Sequence, residues 1–272
     1  PADFTQKKAD RSYFEIASSH IPATIEKIID AAIRSGIPAR DIQVLAPMYR
    51  GTAGIDAINQ LMQELLNPLQ KGQFSFEASQ FHYRTSDKVI HLVNDAEVNV
   101  FNGDLGYITD LIPGKYTESK QDEIVIDFDG NEISYPRNEW YKIRLAYAMS
   151  IHKSQGSEFP VVILPITSAS KRMLERNLIY TAITRAKSKL ILLGELQAFD
   201  YAIKHIGTAR KTYLIKRFRD LTESSEEANK PILEPTDQTD SQQSYILTEE
   251  NWTSIPAMIG ISQDDLQEFF GK

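Results

Sequence analysis

The chain has 272 residues, 42% hydrophobic and 25% charged, the balance of a globular protein long enough to bury a core in about two domains. It has no cysteine, which excludes a disulfide scaffold, a thiolate metal site and a cysteine nucleophile. The net charge of −7 is unevenly laid: residues 222–272 hold eleven acids against Lys230 and Lys272, leaving a mildly basic body, so the whole-chain charge says little about what the body binds.

The first residues, PADFTQKKADRS, lack the apolar core of a signal peptide, and no apolar run approaches the roughly eighteen residues that span a bilayer. A cytoplasmic protein with no membrane partner is expected, and Pro1 in place of an initiator Met points to a segment of something longer. Residues 20–35 place Ile21, Ile25, Ile28, Ile29, Ala32 and Ile33 on one helical stripe, with Gly36 as its stop. IQVLAP predicts a short strand and RGTAG a turn. IDAINQLMQELLNP predicts a second amphipathic helix, with Ile55, Ile58, Leu61, Met62 and Leu65 apolar, ending before Pro68. Helix, strand, turn and helix is the rhythm of an α/β layer protein.

Residues 88–135 change period. KVIHLV, DLGYITDLI and EIVIDFDGNEISYP are short β-rich runs, and the Asp-Gly of FDGNEI signals a hairpin with a primed turn. Several short strands this close together predict a small antiparallel barrel. The α/β rhythm then returns: VVILPI as a buried strand, SKRMLERNLIYTAITRAK as a helix with Leu178, Tyr180 and Ile183 on its core side, KLILLGE as a strand and LQAFDYAIKHI as a helix. The simplest organisation is one α/β domain interrupted by an inserted β module. Residues 222–243 have the composition of a disordered linker, and the more apolar stretch after them is expected to dock.

Two stretches carry candidate chemistry. HKSQGSE sets His152, Lys153, Ser154, Gln155, Ser157 and Glu158 around Gly156, directly before a buried strand. Its donors suit phosphates or bases and the glycine permits close backbone approach, although a solvated loop with a glycine turn fits the same residues. In the second, Arg185 and Lys187 stand near a helix C-terminus. Cations are favoured there by the helix dipole, and an arginine in that place also suits a phosphate across a cleft. His82, His91 and His205 show no metal-ligand spacing, so no metal site is expected. Phe74, Phe76, Phe81 and Tyr83 are suited to stacking on bases, and better suited to half-buried packing in the β module.

Taken together, IHKSQGSEF and, about twenty-five residues later, LIYTAITRAK resemble motifs V and VI of superfamily 1 helicases, in particular the RecD-like group that includes the exodeoxyribonuclease V alpha subunit. DIQVLAPMYRGTAGIDAINQLMQELLNP resembles that group's motif IV region. DKVIHLVND and VFNGDLGYI resemble the approach to its inserted SH3-type barrel, and PAMIGIS its C-terminal signature. Ser86-Asp87 departs from the family's Gly-Asp, a turn change read as tolerated.

The resemblance implies an α/β fold: a RecA-like, P-loop-NTPase-type second motor domain whose parallel sheet is flanked by helices, with an inserted small SH3-like β-barrel. The implied division is motor domain at 1–104, barrel at 105–140, motor domain again at 141–221, acidic linker at 222–243 and docking tail at 244–272. No G-x-x-x-x-G-K-S/T phosphate loop occurs: Gly114-Lys115 lacks the leading glycine and Gly271-Lys272 ends the chain. The chain thus resembles the second motor half alone, for which no ATPase of its own and no tightly bound cofactor are expected; ATP with Mg2+ belongs to the full-length protein. By motif match, Arg185 is the finger on the γ-phosphate, and Arg50, Gly156 and Glu158 are the other nucleotide-side residues. Arg50 also suits a turn-stabilising role and Glu158 a capping or salt-bridge role. His152, Lys153 and Ser154 match positions on the single-strand track. The implied partners are single-stranded DNA or DNA junctions, the N-terminal RecA-like domain of the same chain, and other recombination subunits. The helicase part of a conjugative relaxase and a non-catalytic nucleic-acid-binding module are the competing readings.

Overall fold

The computed structural model describes residues 10–78 and 80–207, together with Lys8 and Arg217. The expected linker at 222–243, the docking tail at 244–272 and its PAMIGIS stretch lie outside the described residues. The chain divides into units spanning Pro1–Ala209 and Arg210–Lys272, and the elements below all belong to the first.

In chain order these are β1 (Arg11–Glu15), α1 (Ile21–Arg34), β2 (Ile42–Ala46), α2 (Ile55–Leu66), β3 (Phe76–Ala78), β4 (Phe81–Tyr83), β5 (Lys88–His91) and β6 (Leu105–Ile112). There follow β7 (Glu123–Phe128), β8 (Asn131–Pro136), β9 (Ile143–Leu145), β10 (Ala148–Ser150), β11 (Phe159–Ile166), α3 (Arg176–Ile183), β12 (Ala186–Gly194) and α4 (Leu196–Lys204).

Five strands form a wholly parallel sheet in the order β1-β12-β11-β2-β10. Side chains alternate along a strand, so Val44 and Ala46 of β2 join the core under α1 and α2, while Leu45 joins the core under α3 and α4. Helices therefore cover both faces, as a fully parallel sheet requires. The expected stripe of α1 buries Ile21, Ile25 and Ile29, and Ile33 turns out toward solvent. In α2, Asn59 and Gln63 share the buried face with Ile55, Ile58 and Met62. Asn59 does the work of a neighbouring strand: its amide donates to the Ala148 carbonyl at 2.9 Å and its carbonyl accepts from Ala148 N at 2.8 Å. The free edge of β10 is thereby satisfied without exposing it.

The interruption is a five-stranded antiparallel sheet in the order β8-β7-β6-β5-β9, paired only within itself. It is wider than the 105–140 stretch, because β5 and β9 pair with each other on its outer side. The four residues of β5 are all buried, so their pattern alone does not distinguish an antiparallel strand from a parallel one. The predicted hairpin joins β7 to β8: Asp129 and Gly130 take φ values of 53° and 91°, the left-handed pair a primed turn needs. A 3-10 turn, Arg137–Lys142, links β8 to β9 and buries Trp140 against Phe76, with ring centroids 5.4 Å apart. Phe81 and Tyr83 are buried with them and Phe74 is half exposed, so this aromatic group is mainly packing.

Two differences from the sequence reading matter downstream. The helix expected over 170–187 is α3 alone, preceded by the 3-10 turn Ser168–Met173, and its inward face is Leu178, Ile179 and Ala182. Tyr180, expected in the core, is 66% exposed, because it lies outside the 3.6-residue stripe that Leu178 and Ala182 define, and Ile183, expected there too, is exposed at the end of the helix. The second is Ser86, whose φ of 73° is left-handed. A glycine adopts that angle without a Cβ penalty, which accounts for the Gly-Asp expected from the resemblance.

The two sheets share a buried polar seam. The Asp87 carboxylate accepts from Gln63 Nε2 at 2.6 Å, Asn67 Nδ2 at 2.8 Å, Arg84 N at 2.8 Å and the Tyr147 hydroxyl at 2.9 Å. Next to it, Lys88 Nζ donates to Gln43 Oε1 at 2.8 Å and lies over the Phe159 ring. Burial, only partly offset by the charge of Asp41, pushes the Lys88 ammonium down to about 8.

Candidate functional site

In an open parallel sheet, ligands gather at the loops leaving the strand ends. The loop between β10 and β11 begins with the Ser150 hydroxyl accepting from Lys153 N at 3.3 Å, which starts the 3-10 turn Ile151–Ser154. Ile151 and Ser154 are buried, and the Ser154 hydroxyl donates to the Ile151 carbonyl at 2.7 Å. Ser154 therefore fixes the turn from inside, while His152 and Lys153 face outward. Gly156 then reverses the chain with φ of 89°, and its surface is open: no atom lies within 4 Å of where a Cβ would stand.

The opposite wall comes from the β5–β6 loop. Asn102, Gly103 and Asp104 face His152, Lys153, Gln155, Gly156 and Ser157 across a cleft of about 560 Å³. The Lys153 ammonium donates to Asn102 Oδ1 across this cleft. Partial burial holds Lys153 below the usual lysine range. The cleft thus brings together the predicted strand-track residues His152 and Lys153 and the nucleotide-side Gly156.

Arg185 stands behind the same turn. It follows the C-terminus of α3, where Nε donates to the Thr181 carbonyl at 3.2 Å and Nη2 to the Thr184 hydroxyl at 3.1 Å. Its Nη1 reaches across to the Ser157 carbonyl at 2.9 Å, and its own carbonyl accepts from Phe159 N at 2.8 Å. One N–H on each terminal nitrogen has no described partner, which leaves a fork able to meet a phosphate. Glu158 is exposed and paired loosely with Lys187 at 3.4 Å, a surface contact worth little to stability.

Arg50 is not brought to this cluster. It follows the C-terminal end of β2, whereas Arg185 precedes the N-terminal end of β12, so the sheet sets the two cations at opposite strand ends. Arg50 itself is exposed, and its loop is held by Ile55 N on the Met48 carbonyl at 3.0 Å and Asp56 N on the Tyr49 carbonyl at 3.1 Å. Only glycine fits at 54, where a Cβ would come within 2.5 Å of the carbonyl oxygens of Tyr49 and Arg50. One participant escapes sequence reasoning for a plain reason: Ser157 acts through its carbonyl, which every residue has. Asn102, with Gly103 and Asp104, reads in the sequence FNGDLG as either a tight turn or a strand-adjacent group, and it lines the cleft.

Among the described residues, no helix is long and apolar enough to cross a membrane. Residues 145–193 match the family model of the UvrD-like helicase C-terminal domain, and residues 58–128 match that of the ATP-dependent RecD-like DNA helicase SH3 domain. The chain is 34% identical over 178 residues to the ATP-dependent RecD2 DNA helicase of Deinococcus radiodurans, covering 65% of this chain and 23% of that protein. It is 29% identical over 177 residues to the RecBCD enzyme subunit RecD of Mycolicibacterium smegmatis, covering 65% of this chain and 29% of that one. The chain thus spans about a quarter of the length of these two relatives. A crystal structure of a Bacteroides Pif1 helicase with ADP-AlF3 and single-stranded DNA aligns with 66% of this chain and 45% of its own, at 19% identity and a TM-score of 0.40. The two family models and the RecD relatives agree: over the matched residues this chain is similar to the RecD-like DNA helicases, with a UvrD-like helicase C-terminal domain and a RecD-like SH3 domain.

Proposed function

We propose that this chain is the second motor half of an ATP-dependent DNA helicase, working 5′ to 3′ on single-stranded DNA or DNA junctions against an N-terminal RecA-like half of the same protein. The parallel sheet and its helices then form the motor domain, around an inserted barrel that takes β5 and β9 as well as the 105–140 stretch. One observation carries the reading. The Arg185 guanidinium holds the carbonyl of Ser157, in the turn that also presents His152 and Lys153. A cation suited to a nucleotide and a pair of donors suited to a strand are thus mechanically joined.

ATP with Mg2+, bound in the complete protein, supplies the phosphoryl group whose transfer drives the cycle. The residues present fit its cation side, since among the described residues one N–H on each terminal nitrogen of Arg185 has no partner and Gly156 leaves its backbone open. Arg185 stabilises charge that builds on the phosphoryl oxygens. Any shift of its guanidinium pulls or releases Ser157, and through Ser157 N on the Ser154 carbonyl, at 3.1 Å, the 3-10 turn that sets Lys153. Two arrangements of this turn, each favoured by different phosphate contacts, make a bistable grip. His152 and Lys153 hold the DNA backbone, while Ser154 positions them. Other recombination subunits are partners of the complete protein in this reading.

The test is strand displacement by the complete protein on duplexes bearing a 5′ or a 3′ single-stranded tail. ATP-dependent unwinding of the 5′-tailed substrate supports the reading. Unwinding confined to the 3′ tail overturns the polarity, and none on either overturns the motor.

A further inference from the structure

We propose that Asn102, from the inserted sheet, is the positioning residue of the strand grip: it holds the Lys153 ammonium at the cleft and adds its own amide N–H groups to the same phosphodiester seat. The proposal rests on the cleft being where single-stranded DNA is held. A lysine side chain has several rotatable bonds, and ordering them costs conformational entropy that a bare surface lysine must meet on binding. Here the Asn102 Oδ1 atom has already fixed the ammonium. Because that oxygen is engaged, the face of the amide left for a ligand is its two N–H donors. Ammonium and amide thus present donors to the same place.

The loop holding Asn102 is tied down by hydrogen bonds on either side of it. Asn102 N donates to Asn94 Oδ1 at 3.0 Å, and Gly103 N donates to the His91 carbonyl at 2.9 Å. Gly103 itself has φ of 111°. Among the described residues the acid lining the cleft is Asp104, whose Oδ2 accepts from Phe101 N at 2.8 Å rather than from Lys153. The partner of Lys153 is therefore a neutral amide, which directs the ammonium without cancelling its charge. An aspartate at 102 would direct it equally well and neutralise it. This asymmetry separates positioning of the lysine from mere folding of the loop.

The experiment is a double-mutant cycle on the 272-residue chain, titrated with a fluorescein-labelled oligothymidylate over a series of salt concentrations. Lys153→Ala is expected to weaken binding roughly tenfold, the scale of one lost charge-assisted hydrogen bond, and to lower the salt slope by about one. Asn102→Ala should weaken binding less, with the salt slope kept. Asn102→Asp should weaken it as much as Lys153→Ala and lower the slope likewise. In the Lys153→Ala background, Asn102→Ala should cost little more. If the two alanine losses multiply instead, or Asn102→Asp binds as the native chain does, Asn102 does not act through Lys153 and the proposal is wrong. If Lys153→Ala leaves affinity and slope unchanged, the strand-track reading itself fails, and this inference with it.

Discussion

Arg185 Nη1 donates to the Ser157 carbonyl oxygen at 2.9 Å, spanning the gap between the end of α3 and the turn before β11. The two stretches that carry the helicase resemblance are therefore joined by a hydrogen bond as well as by adjacent strands. Ser157 has no side-chain role in this contact, so the link survives any substitution at 157 that keeps the backbone turn.

Breaking that link has a cost to stability that is separate from any catalytic cost. Arg185→Ala should lower the unfolding free energy of the chain by about 1–2 kcal/mol, the scale of one or two partly buried hydrogen bonds to a charged group. Arg185→Lys should recover only part of it, since an ammonium cannot reach Thr181, Thr184 and Ser157 in one plane as the fork does. Urea denaturation monitored by tryptophan fluorescence reads this directly. An unchanged midpoint in Arg185→Ala would show that the brace carries no weight.

Ser86→Gly should stabilise the chain by roughly 0.5–1 kcal/mol, because it relieves a left-handed angle that a Cβ disfavours. The surroundings leave room for the change, and Ser86 N keeps its bond to the Ile108 carbonyl at 2.7 Å. Thermal melts of the two proteins compare them; a lower melting temperature for the glycine form would contradict the argument.

Lys88 gives the fold a pH dependence of definite sign. Burial lowers its folded value from 10.5 to about 8, so between those values the unfolded chain binds the proton more tightly. Unfolding free energy from this residue therefore rises with pH through that window, by on the order of 3 kcal/mol, and is flat below it. Tyr83 and Tyr147, held above the ordinary tyrosine range by burial, oppose the rise only at higher pH. Denaturation curves between pH 8 and 9.5 should show the native chain gaining stability relative to Lys88→Met. Parallel pH profiles for the two would place the Lys88 ammonium in ordinary solvent.

The parts legible in the sequence were those with a period or a motif. The stripes of α1 and α2, the Asp-Gly hairpin and the runs of β11 and β12 follow from spacing that only one local structure satisfies. What escaped is polar and tertiary. β1 reads as a polar segment, because RSYFE buries only Ser12 and becomes a strand by pairing with β12. Asn59 and Gln63 look like the wet side of α2, and are buried because Ala148 and Asp87 complete their hydrogen bonds. At the site, His152, Lys153 and Arg185 were visible as chemistry. Ser154 was visible too, but nothing local tells that its hydroxyl turns inward to Ile151. The distance between Arg50 and Arg185 is a property of sheet order, which neither motif contains.

In the proposed cycle Arg185 acts on the phosphoryl group in the complete protein while also bracing the turn that presents His152 and Lys153. The most direct measurement is steady-state ATPase, stimulated by single-stranded DNA, of the complete protein with Arg185→Ala, beside nucleotide binding by the same variant. Turnover should fall by roughly 10³-fold or more, the scale of arginine-finger losses, with nucleotide affinity weakened only modestly and Arg185→Lys rescuing little. Near-normal turnover in Arg185→Ala would make the guanidinium a helix-end brace alone and contradict the account.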